Sequence, residues 1–233
     1  MFFFDPYYLL FMLPAFILMM VVQGYVRSAY AKWSKVPARS RFTGAQAAER
    51  LIQRGNLYGV RVEPIQGQMT DNYDPRDKVL HLSQGVYSSN SVAALAIAAH
   101  ELGHAMQDQS DYLPLRFRAA LVPAVNIGST LGWILILIGI FMNFAQLAWL
   151  GVGVFSVGAL FALATLPVEL NASARAKRLL AETGLIMGEE EASGVNKVLN
   201  AAALTYVAAL VTAVLQLLYF VSLAGGMGGR RRS

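Results

Sequence analysis

Cysteine is missing from the chain. That excludes disulfides and thiolate-held metal, so any metal site must be built from nitrogen and oxygen donors. Charge is also scarce: 14% of residues are charged, against about 25% in an ordinary soluble domain. Histidine is scarcer still, with three in 233 residues. The formal net charge is +5, but no basic surface interleaved with aromatics stands out, so no nucleic acid is expected as a partner. The basic residues flank apolar runs instead, where they meet anionic lipid headgroups.

The apolar residues are gathered in four long stretches, which sets the class as integral membrane protein. About 20 apolar residues cross the hydrocarbon of a bilayer. Pro6 to Val26 carries no charge and is long enough. It follows Phe2-Phe3-Phe4-Asp5 and lacks the basic start and small-residue cleavage site of a signal peptide, so it reads as a retained span with Pro14 as a kink point. Ala119 to Val168 is uncharged and suits two spans, about Ala120 to Met142 and Leu147 to Pro167, turning at Asn143 to Gln146. The last uncharged stretch, Val198 to Gly229, holds a span near Ala202 to Leu223.

Arg27 to Arg118 is the one sizeable polar block. Thr43-Gly44-Ala45-Gln46 reads as a capping box opening a helix that runs to about Arg54, with Gly55 as its left-handed cap. Gly59 to Thr70 is rich in strand formers. Asp74-Pro75-Arg76-Asp77 signals a turn, and Lys78 to Ser83 alternates as a strand, together suggesting a hairpin. The block holds twelve Lys and Arg, and the flank before the first span has none. The positive-inside rule therefore places the amino terminus outside and this block in the cytoplasm. Arg175, Lys177 and Arg178 return there after the third span. Arg230, Arg231 and Arg232 would fall outside after a fourth span, against the rule.

Within the block lies His100-Glu101-Leu102-Gly103-His104, preceded by the uninterrupted apolar run Val92 to Ala99. Residues four apart on a helix share a face, so the two imidazoles can close on one zinc ion. Glu101 lies on a neighbouring part of that surface, where a carboxylate can take a proton from an activated water. A catalytic zinc usually has a third protein ligand. A His six residues after the second motif His would mark a metzincin, but that position is Ser110. All six Asp residues lie outside the spans, which argues against an intramembrane zinc protease. Glu182 beside Arg178 reads as a solvated face, and Glu189, Glu190 and Glu191 as a dipole-favoured helix start. Glu169, at the cytoplasmic end of the third span, is the expected ligand, with Pro167 opening a helical turn or kinking the span before it. Ala98, Ala99, Gly103 and Ala105 are small enough to let the helix bearing Glu169 approach.

The chain resembles the YugP-type membrane zinc metallopeptidase family. The resemblance covers nearly the whole chain. It is carried by the amino-terminal Phe-Asp-Pro, the Thr-Gly-Ala helix start, Gly-Gln-Met-Thr-Asp-Asn-Tyr-Asp-Pro-Arg, Ala99 to Ala105, Leu166 to Ser173 and Asn200 to Tyr206. It is also distantly similar to HtpX-like, gluzincin-type membrane proteases. Those place an Asp four residues after the ligand Glu to support a zinc-bound His; here Ser173 stands there, with Asn171 as a possible substitute. The resemblance implies the bacterial inner membrane and a cytoplasmic active site.

His81 on the expected strand could position substrate, although a partly exposed strand His is the simpler reading. Tyr206 could donate to an oxyanion or anchor the interface. The expected organisation is a mainly α integral membrane protein with about four transmembrane helices and a small cytoplasmic α+β zincin-like domain. It comprises a first span at 1–26, a cytoplasmic metallopeptidase domain at 27–118 and a transmembrane hairpin at 119–168. Cytoplasmic helices with the third ligand follow at 169–200, then a fourth span at 201–224 and a flexible tail at 225–233. The expected activity is zinc metalloendopeptidase, with one Zn2+ per chain, peptide or protein substrates and membrane lipid as partners, and an oligomeric state left open. Two rival readings are a non-proteolytic scaffold with a structural or decayed zinc site, and a metal transporter. The second is disfavoured by spans without charge. The strand Lys78 to Ser83 is a candidate for pairing with an extended substrate.

Overall fold

The computed structural model describes residues 6–229. The helices are α1 (Pro6–Trp33), α2 (Gly44–Arg54), α3 (Gln84–Tyr87), α4 (Val92–Gln109), α5 (Leu113–Phe141), α6 (Ala145–Thr183) and α7 (Gly188–Gly229). The strands are β1 (Arg61–Ile65), β2 (Asn72–Asp74) and β3 (Val79–Ser83). The described residues divide into two compact units, one of 6–22, 116–167 and 205–229, the other of 23–115 and 168–204.

The first unit holds the apolar parts of α1, α5, α6 and α7, four helices long and apolar enough to cross a membrane. Its core joins Ile136, Ala148, Val152, Tyr219 and Phe220. Phe220 takes Trp133 and Phe155 edge-on, each with ring centroids 5.0 Å away. Glycines bring α5 and α6 together: a Cβ on Gly132 would lie 2.8 Å from the Phe155 amide nitrogen. Such close approach by small residues is how helices associate in lipid, where no hydrophobic effect drives them. Leu10, Ile127 and Phe141 are 68%, 68% and 93% exposed, a surface suited to hydrocarbon rather than water. The expected turn at 143–146 is tighter, because α6 begins at Ala145. Asn143 makes the reversal at φ 50°, a left-handed conformation that Asn tolerates. α1 and α6 run on through Pro14 and Pro167.

In the second unit the capping box forms as expected. Gln46 N donates to Thr43 Oγ1 at 3.3 Å and Thr43 N to Gln46 Oε1 at 3.0 Å. Gly55 is not the left-handed cap. It stays right-handed at φ −80°, and Asn56 takes the left-handed turn at φ 51°.

The expected hairpin is part of a three-stranded mixed sheet, ordered β1-β3-β2. β1 pairs parallel with β3, and only β2 and β3 form an antiparallel pair. Pro64 lies within β1; lacking an N–H, it confines that strand to an edge. Asp74 Oδ1 accepts from Arg76 N at 2.8 Å, making the predicted turn. β3 is paired along Val79 to Ser83 by β1 and along Val79 to His81 by β2, so it is the middle strand and not the open edge that the expected strand addition of substrate to Lys78 to Ser83 requires.

α4 crosses the middle of this unit. Ser91 caps it, accepting from Ala94 N at 3.2 Å, and Val92 to Ala96, Ala98, Ala99, Leu102 and Ala105 are buried. A helix apolar on nearly all sides belongs inside a core. Here it packs with Leu51, Leu80, Leu82, Leu179, Leu180 and Leu199. Glu189 and Glu190 are exposed as expected, but Glu191 is buried and accepts from Arg39 N and Met187 N, both at 2.7 Å. The flexible tail expected from residue 225 is helical to Gly229; Arg230 to Arg232 lie outside the described residues.

Candidate metal centre

The site is made where α4 meets the part of α6 beyond Pro167, both within the second unit. Helical periodicity puts His100 and His104 one turn apart, with ring centroids 5.0 Å apart and planes at 83°. The contact between helices is possible because position 103 has no side chain. A Cβ there would collide with the Ala172 carbonyl, lying 2.9 Å from its carbon and 3.0 Å from the Ala172 Cα. The close approach expected from the small residues of the motif helix is thus found at Gly103.

Glu169 is brought to the two imidazoles. Its Oε2 lies 3.3 Å from His100 Nε2 and 3.4 Å from His104 Nε2. The three residues form a group whose donor atoms all lie within 4.8 Å of one another. Donors at about 2.0–2.1 Å from a tetrahedral zinc stand about 3.3 Å apart along the tetrahedron's edge. The two carboxylate–imidazole separations match that edge, and the donor set of two nitrogens and one oxygen suits zinc.

The far sides of the rings are also held. His100 Nδ1 lies 3.2 Å from Ser173 Oγ, so Ser173 meets this imidazole as expected, with a hydroxyl where the HtpX-like pattern has a carboxylate. His104 Nδ1 lies 3.0 Å from Gln107 Oε1. Gln107 was not singled out in the sequence. Its signal was there: an amide three residues after His104, hence on the same face. Asn171 does not reach an imidazole; its Oδ1 accepts from Gln107 Nε2 at 3.1 Å and from Arg175 Nε at 2.8 Å.

Glu101 follows His100 on α4. Burial pushes its carboxyl above the usual range, opposed by the two imidazoles and reinforced by Glu169 and Asp71. That direction favours a carboxyl that holds a proton once it has taken one. For His104, burial pulls the imidazole down, but the bond to Glu169 and the Glu101 charge outweigh it and leave it above its ordinary value. One turn further on, Tyr73 of β2 donates to Asp108 Oδ2 at 3.2 Å, tying the sheet to the motif helix. Burial and Asp108 push that phenol up to about 12.

The remaining candidates are not among the three donors. His81 Nδ1 is 3.3 Å from Asn72 Oδ1 across the β2–β3 pair, outside the three-donor group. Tyr206 lies on α7 in the other unit.

Comparison with known proteins adds identity to this geometry. The profile of a family described as "Putative neutral zinc metallopeptidase" matches residues 8–225. The chain is also similar to "Putative membrane protease YugP" of Bacillus subtilis (strain 168), at 46% identity over 196 residues, covering 84% of this chain and 87% of that protein. No solved structure matches.

Proposed function

The chain belongs to the neutral zinc metallopeptidase family whose profile it matches over residues 8–225, and from that premise we propose that it is a membrane-embedded zinc endopeptidase. His100, His104 and Glu169 hold the ion. The observation that carries this reading is the 3.3 and 3.4 Å spacing of the Glu169 oxygen from the two imidazoles, the edge length of a zinc tetrahedron. A zinc ion bound there would lower the pKa of a water and polarise the scissile carbonyl. Glu101 takes the proton released in the attack and delivers it to the leaving amine. Ser173 and Gln107 orient the imidazoles, and Gly103 sets the helix separation that keeps Glu169 in reach.

Substrates are membrane or membrane-proximal proteins, because the catalytic helix belongs to a chain with four apolar helices long enough to span. The twelve basic residues from Arg27 to Arg118 support a cytoplasmic site in a bacterial inner membrane.

The deciding experiment is metal analysis of detergent-purified protein beside cleavage of a mixed peptide and unfolded-protein library. One zinc per chain is expected, with cleavage that stops on chelation and returns with added zinc. Metal-free protein, or cleavage indifferent to chelation, would refute the reading. Zinc without cleavage would favour the scaffold reading, which the Ser173 hydroxyl in place of a carboxylate also favours.

Ser173 supplies a further prediction. Loss of a hydrogen bond behind a ligating imidazole typically weakens metal binding about 10–100-fold. Ser173→Ala should lie near the lower end, because a neutral hydroxyl is a weaker partner than a carboxylate, and Ser173→Asp should bind zinc more tightly than wild type. Competition titration with a chromogenic chelator reads both; equal affinity in all three proteins would show that the bond is idle.

A further inference from the structure

Gln107 is completely buried and all of its polar atoms are engaged. Nε2 donates to the Val168 backbone carbonyl at 2.7 Å and to Asn171 Oδ1 at 3.1 Å. Oε1 faces His104 Nδ1 at 3.0 Å. The Val168 carbonyl can only accept, so the amide must turn its NH2 toward α6. Its oxygen is then left facing the imidazole, and an oxygen without hydrogen can only accept. His104 must therefore carry its hydrogen on Nδ1.

We propose that Gln107 is a positioning residue that fixes His104 as its Nδ1–H tautomer and, through the same amide, fastens the motif helix to α6 beside Glu169. The proposal rests on the zinc-site reading. With the proton committed to Nδ1, a neutral His104 presents a bare Nε2 lone pair to the Glu169 oxygen 3.4 Å away. Two lone pairs at that distance repel unless positive charge lies between them, which a bound metal ion supplies in the zinc-loaded protein and a second proton, on Nε2, supplies without it. The two imidazoles are not equivalent in this respect. Ser173 Oγ, 3.2 Å from His100 Nδ1, can donate or accept and dictates no tautomer.

The clamp also has a second layer. Arg175, which donates to Asn171 Oδ1 at 2.8 Å, donates through Nη1 to the Met106 carbonyl at 3.2 Å. Asn171 thus receives hydrogen bonds from both helices. The chain His104–Gln107–Asn171–Arg175–Met106 begins and ends on α4 and passes through α6. Displacing α6 would strain the bond that holds the His104 tautomer as well as moving Glu169.

The test uses full-length protein in detergent, 15N-labelled at histidine, loaded with zinc; three histidines in the chain make assignment tractable. In wild type, His104 should show a protected Nδ1–H and coordinate through Nε2. In Gln107→Met, similar in shape but only a weak acceptor, that proton should exchange with water faster than in wild type. Zinc affinity should fall about 10–100-fold by chelator competition, while the His100 resonances keep their wild-type pattern. Coordination through His104 Nδ1 in wild type, or unchanged affinity in Gln107→Met, would overturn the inference. If Gln107→Met does not fold, the wild-type spectrum still decides the tautomer, and Asn171→Ala, which removes one of the amide's two anchors and keeps Val168, should raise exchange of the same proton. A wild type that binds no zinc would instead sink the zinc-site reading, so the two failures are distinguishable.

Discussion

Replacing Glu101 by Gln will lower peptide hydrolysis about 10²–10⁴-fold, the usual contribution of a positioned general base, and leave one zinc bound per chain. The substitution keeps shape and hydrogen-bonding capacity while removing the proton acceptor. Glu101 is not in the three-donor group, so zinc content should hold. Stability should move the other way from activity. Burial raises the Glu101 carboxyl above its usual range. A carboxyl whose folded pKa exceeds its unfolded one opposes folding once pH passes the unfolded value, because the ionised form is the one penalised. In metal-free protein at neutral pH, Glu101→Gln should therefore unfold at the same temperature as wild type or higher, whereas bound zinc would itself favour the ionised carboxylate. Calorimetry beside a cleavage assay reads both. A variant that cleaves normally would remove Glu101 from the chemistry, and one that loses zinc would make it a structural support.

The second large effect is expected at Gly103. Gly103→Val should abolish zinc binding and cleavage and leave little folded protein, and Gly103→Ala should do the same in milder form. On propensity alone Ala would help, since Gly in a helix interior is about 0.5–1 kcal/mol worse. Packing decides the sign. The atoms met by an added Cβ belong to the Ala172 backbone, which cannot turn aside as a side-chain tip can. Relief requires α4 and α6 to separate, and Ala172 lies only three residues from Glu169. Overpacking typically costs about 1–3 kcal/mol and more where backbone must move. Detergent-resistant folded yield and zinc content measure the outcome. A Gly103→Ala protein with normal zinc would mean that the helices can spread without moving the donors.

Much of this was legible in local spacing. The motif helix, its apolar flank, the capping box at Thr43 and the turn at Asp74 depend on neighbours a few residues away, and each formed as read. Glu169 lies 65 residues beyond His104, yet elimination reached it, because acids near apolar runs are few. What failed were features fixed by distant partners. That β1 lies parallel to β3 depends on which strand takes the middle of the sheet, and alternation in the sequence does not say. The helix cap failed for a local reason instead: Gly55 and Asn56 both suit a left-handed turn, and Gly55 stays helical, its N–H donating to the Leu51 carbonyl at 2.8 Å. Gln107 was overlooked because, although its spacing from His104 puts it on the same face, its second partner is the carbonyl of Val168, 61 residues away, which spacing does not reveal.

The donor set has one more consequence. Peroxide and disulfide stress strip zinc from thiolate sites by oxidising sulfur, but imidazole and carboxylate offer no comparable target. A centre of His100, His104 and Glu169 in a chain without cysteine would keep its ion through an oxidative burst. Its activity would then follow the supply of zinc rather than the redox state of the cell.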